Sequence, residues 1–107
     1  MNNINFDIEE LFNTARKDPI KSLYLAVIFQ AILDLIKPED LHEKSNIKLH
    51  RDQAHAWVFT SVGVTCENFE DTCTLAGLEP VMVRSFTLNA INSGDTDEVR
   101  RKLNNFL

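Results

Sequence analysis

Most of the chain repeats apolar residues at intervals of three and four, the spacing of one face of an α-helix. Phe6, Ile8, Leu11, Phe12 and Ala15 form the first such stripe, with acids early in it and Arg16 and Lys17 at its end. That order suits the helix dipole. Asp18 and Pro19 break the stripe, and Pro is welcome at the first turn of the helix that follows. Residues 19–38, bounded by Pro19 and Pro38, are apolar on nearly all sides. Lys21, Gln30 and Asp34 interrupt them, which leaves too short an uninterrupted run for a membrane span. A helix of this kind is buried on nearly all sides. Two coverings are open: the chain's other helices, or a second copy or partner lying over a face near Tyr24, Ile28 and Leu35.

Residues 37–50 are polar and read as a connection, with a helical turn at residues 38–43. Ala54, Trp57 and Val58 then mark a helix broken by Gly63 and Thr65. Phe69, Thr72, Cys73 and Ala76 take the i, i+3, i+4, i+7 positions of the next helix, which starts near Cys66 and ends at Gly77. Pro80 opens another, with Val83, Phe86 and Ala90 inward. A final short helix, entered through Ser93, Gly94 and Asp95, buries Val99, Leu103 and Phe106. The predicted fold is all-α, a compact bundle of five to six helices in a single domain. Residues 1–37 form a hydrophobic helical hairpin, and residues 51–107 form a helix-turn-helix-like half.

Composition narrows the function. At 107 residues the chain has room for one core. Its net charge is −5, and the acidic bias covers both halves: five Lys/Arg against eight Asp/Glu in residues 1–47, six against eight in residues 48–107. Phosphate neutralisation by cations supplies much of the affinity for nucleic acid, so this balance disfavours DNA except through a local patch. The polar N-terminus has no signal-like character, which predicts a cytoplasmic protein with both Cys66 and Cys73 reduced. Neither cysteine shares a metal-ligand spacing with His42, His50 or His55, and no metal or other cofactor is expected. Cys73 reads as buried and inert. His50 and His55 lie five apart, off a common helical face, and no Gly-rich phosphate loop exists. The chain reads as a non-enzyme.

Residues 69–86, FEDTCTLAGLEPVMVRSF, meet the demands of a helix-turn-helix. Cys73 or Ala76 is small enough for two helices to cross, Gly77 tolerates a left-handed turn, and Leu75, Leu78, Val83 and Phe86 pin the turn and the second helix. Trp57 is placed as a third wall. The stretch resembles the helix-turn-helix of small phage and bacterial regulators, departing at Cys73, where that motif carries Ala. Through Ala56, Trp57, Cys73, Ala76, Gly77, Leu78, Pro80, Val83 and Arg84 it is similar to a group of small phage-encoded proteins of unsettled activity. The resemblance implies a viral origin and, in an infected cell, action in the host cytoplasm.

On the second helix the outward positions are Val81, Met82, Arg84, Ser85, Leu88 and Asn89, led by Glu79. Arg84 and Asn89 suit base edges, with Ser85 as a helper. Val81, Met82 and Leu88 suit a protein contact, or burial against the N-terminal helices. Lys48, Arg51, Arg100, Arg101 and Lys102, joined by Lys44 and His50, are the candidate phosphate contacts, although a charge run is usually a solvated face. Two functions follow as expectations. One is a phage-type regulator of transcription that contacts double-stranded DNA, a host protein such as RNA polymerase, or both. The other is an acidic protein-interaction module, a host-takeover or anti-defence factor that binds a host or viral protein without DNA. A homodimer through residues 23–36 is a separate expectation, and no membrane partner is expected.

Overall fold

The carboxylate of Asp18 starts the longest helix. Its Oδ1 accepts from the backbone N–H groups of Ile20 (3.0 Å) and Lys21 (3.2 Å), two of the donors that a helix start leaves unsatisfied. The computed structural model of the chain describes residues 8–37, 45–93 and 96–107. Within them run α1 (Ile8–Arg16), α2 (Pro19–Ile36), α3 (Ser45–Phe59), α4 (Gly63–Ala76), α5 (Pro80–Ser93) and α6 (Asp97–Phe106). The protein is all-α, with six helices and no strand among the described residues.

Helix α2 is the hub and touches each of the other five. Leu25, Ile28, Phe29, Ile32, Leu35 and Ile36 form its buried side. By length and composition α2 would also pass as a membrane span, a test that the core helix of a bundle passes too. Phe29 anchors an aromatic trio with Phe12 of α1 and Phe106 of α6, the ring centroids lying 4.9–5.7 Å apart. Such tilted and edge-to-face contacts fasten both ends of the chain to the hub. Ile28 and Leu35 therefore lie inside the chain's own core, and Tyr24 packs partly against it. The face of α2 left open is a different one, formed by Ile20, Leu23 and Val27.

Two boundaries differ from those read in the sequence. Helix α3 starts at Ser45, within the stretch read as a connection. Here Ile47, Ala54 and Val58 turn inward between exposed Asn46, Lys48 and Asp52, so each turn offers little apolar surface and the periodicity is weak. Helix α4 starts at Gly63 and runs through Thr65, which does not break it. The expected turn at residues 38–43 lies outside the described residues, as do Lys44, Gly94 and Asp95.

Candidate functional site

The chain reverses at Gly77. This residue follows α4 with φ at +80°, the left-handed region that only Gly adopts readily. The Gly77 N–H donates to the Thr74 carbonyl (3.0 Å) and the Leu78 N–H to that of Cys73 (2.8 Å), so two carbonyls of the last turn are satisfied. Leu78 and Glu79 complete the turn before Pro80 begins α5. Cys73, Ala76, Val83 and Ala90 are buried along the two helices, and Leu78 packs on the core. Leu75 does not pin the turn as expected. It points outward and is exposed, because α4 turns Thr72, Cys73 and Ala76 to the interior. Trp57 stands edge-on to Phe69 at 5.0 Å and donates its Nε1–H to Asn68 Oδ1 (2.8 Å), forming a wall beside α4.

Burial pushes the Cys73 thiol up to about 12; nearby Arg84 opposes the shift and Glu70 adds to it. Cys66 is also buried and is not in a disulfide. Among the described residues, no three His, Cys, Asp or Glu side chains gather as metal ligands would.

Arg84 is placed differently from a base reader. Its Nε–H donates to the Val58 carbonyl (2.8 Å) and Nη2 reaches the Thr60 carbonyl (3.4 Å) and Cys66 Sγ (3.7 Å). Nη1 lies 3.9 Å from Glu70 Oε2, and the guanidinium sits 4.7 Å from the Phe69 ring centroid. The last turn of α3 has no basic residue of its own, and its terminal carbonyls form the negative end of that helix. Arg84, reaching over from α5, supplies the missing cation. Only about a quarter of its side chain meets solvent. The residue best suited to a base edge is thus engaged as an internal clamp between α3, α4 and α5.

Helix α5 leaves three apolar side chains exposed, Val81, Leu88 and Ile91, beside polar Asn89, Asn92 and Ser93. Val81 is 67% exposed and Leu88 50%, one above the other two turns apart, with half-buried Ser85 between them. Met82 is half-buried and Asn89 exposed along one edge of this stripe. The candidate phosphate contacts divide among other helices. Lys48 is exposed on α3, while Nη2 of Arg51 donates to the Lys37 carbonyl (3.3 Å) at the C-terminal end of α2. Arg100 pairs with Asp97 (3.6 Å), and Arg101 and Lys102 pair with Glu98 (3.9 and 4.0 Å), all one turn apart on α6. Such exposed pairs add little stability, but they do cancel the local positive field.

Sequence spacing identified the turn at Gly77 and the exposure of Val81, Leu88 and Asn89, and missed exposed Ile91 and the role of Arg84. The available clue was the absence of a cation in the last turn of α3. No protein-family model, no curated protein and no solved structure matches this chain.

Proposed function

We propose that this protein is a small phage-type regulator that works in the host cytoplasm by binding another protein through the outer face of α5. Val81 and Leu88 are the apolar anchors, and Met82, Ser85 and Asn89 form the edge. One observation carries this reading: the guanidinium of Arg84 is held by the Val58 and Thr60 carbonyls at the C-terminal end of α3, which leaves α5 an outward surface better suited to a protein than to a base edge. The net charge of −5 and the ion-paired cations of α6 support the same preference. The partner is a host or viral protein, with RNA polymerase or a defence complex as candidates.

A second reading keeps double-stranded DNA as the target, and the short reversal at Gly77 between α4 and α5 favours it. In that reading Ser85 and Asn89 read base edges, and Arg84 joins them only after leaving α3.

A photocrosslinking residue at position 88, used in host lysate, distinguishes the two. The expected product is an adduct to one protein. Purified, that protein binds the wild type and loses at least about tenfold in affinity to a chain carrying Val81→Asp and Leu88→Asp. Equal affinity for this double variant, or adducts to nucleic acid alone, would contradict the proposal.

A further inference from the structure

Helices α2 and α3 leave an open groove of about 680 Å³ between them. Leu23, Val27 and Ala31 form one wall; Ala54 and Trp57, with polar His50 and Gln53 beside them, form the other. On α2, positions 20, 23, 27, 31 and 34 recur at intervals of three and four, so they share one face. That line is apolar for four positions and then ends in the carboxylate of Asp34, which accepts from Gln30 Nε2 at 3.2 Å. Ile20 and Leu23 are 64% and 62% exposed, and Val27 is exposed as well. Aliphatic side chains left in water along one line mark a contact surface rather than scattered exposure.

We propose that this groove seats an amphipathic helix of a partner protein, apolar on its inner side and carrying Lys or Arg where it passes Asp34. The shape suits a helix. Ala31 and Ala54 are small enough to admit a third backbone, and the lining of α2 from Leu23 to Asp34 gives a trough about 16 Å long, roughly three turns. The charge suits a basic one. Among the described residues, Asp34 is the one carboxylate side chain of the lining, where His50 is the other titratable side chain, and the field of a chain of net charge −5 draws cations towards it. A second copy fits less well. An antiparallel two-fold contact centred on Val27 sets Ile20 of one copy against Asp34 of the other, stripping water from a carboxylate with no counter-charge. It also joins two chains of the same negative charge. The groove is a separate surface from the α5 face and does not depend on it.

Trp57, the single tryptophan of the chain, lines the groove and reports its occupancy. The test titrates the full chain with three tryptophan-free peptides of about 16 residues, long enough for four turns. One is an amphipathic Leu/Lys helix, one its Leu/Glu counterpart, and one a shuffled Leu/Lys sequence without an apolar face. The Leu/Lys helix is expected to shift Trp57 emission saturably. The Leu/Glu helix should bind about tenfold more weakly, and the shuffled peptide should produce no shift. Leu23→Asp, at an exposed site that leaves far-UV circular dichroism unchanged, should abolish the shift. Asp34→Asn should shrink the preference for Lys over Glu to about twofold. The pair Val81→Asp and Leu88→Asp should leave the titration unaltered, so failure at the groove and failure of the α5 reading are separable. Absence of any emission change, equal binding of the Lys and Glu helices, or indifference to Leu23→Asp would overturn the proposal. So would a concentration-dependent dimer, seen by light scattering, that Leu23→Asp abolishes, since the second copy would then be the occupant.

Discussion

Arg84 shows how a residue with the chemistry of a reader can serve as a clamp. Its planar fork spans the carbonyls of Val58, in the last turn of α3, and Thr60, just past it, while its face rests on Phe69, a combination that the point charge of Lys cannot reproduce. Removing it leaves the end of α3 without its cation and uncovers the ring. Arg84→Ala should therefore cost about 2–3 kcal/mol in urea unfolding, with Arg84→Lys recovering less than half of that. A change below about 0.5 kcal/mol would show that the contacts are idle. Cys73 gives a second prediction at this scale. Its thiol stays neutral in the fold up to about 12, whereas in the unfolded chain it ionises near 9. The unfolded state therefore binds fewer protons between these values, and stability is full below about 9 and falls as pH rises towards 12. Unfolding midpoints measured from pH 8 to 11 should decline across that window in the wild type and less steeply in Cys73→Ala. Parallel declines would argue against the burial of this thiol.

At the scale of the helices, the ends matter more than the middles. Gly77→Ala forces a side chain into the left-handed region, where the nearest neighbour to the new Cβ is the flexible end of Lys21 at 3.4 Å. Backbone strain rather than collision sets the cost, about 1 kcal/mol, measured as a lower midpoint of chemical unfolding. Asp18→Ala should cost a similar amount, about 1 kcal/mol, through the two N–H groups it leaves at the start of α2. If either substitution were neutral, the corresponding cap would not be formed in solution. Gly77 was legible in the sequence because a small crossing residue, a turn residue and a following Pro stand at fixed offsets within one short stretch. The clamp was not, because the acceptors of Arg84 lie 24 and 26 residues away and are backbone carbonyls, which carry no side-chain identity. The start of α3 was hidden for another reason: its inward positions are too sparse to outweigh the polar ones around them.

For the molecule as a whole, α2 is the hub of the core, and the proposed contacts lie on the outer surfaces of α5 and α2. Phe29 is fully buried where α1, α2 and α6 meet. Phe29→Ala should cost about 3–5 kcal/mol, much of what holds a small domain together, and calorimetry should show a lowered, broadened transition. The open line from Ile20 to Asp34 could not be found from composition, because α2 is apolar on nearly all sides and only packing shows which side stays uncovered. The central claim is that α5 carries its clamp inward and presents a protein-binding face outward. Its most direct test is the binding isotherm of the full chain with mixed-sequence duplex DNA at about 50 and 200 mM salt, the range over which phosphate contacts reveal themselves. No saturable binding at either concentration is the predicted result. Tight binding at low salt that weakens by orders of magnitude at high salt, and disappears in Arg84→Ala, would contradict it.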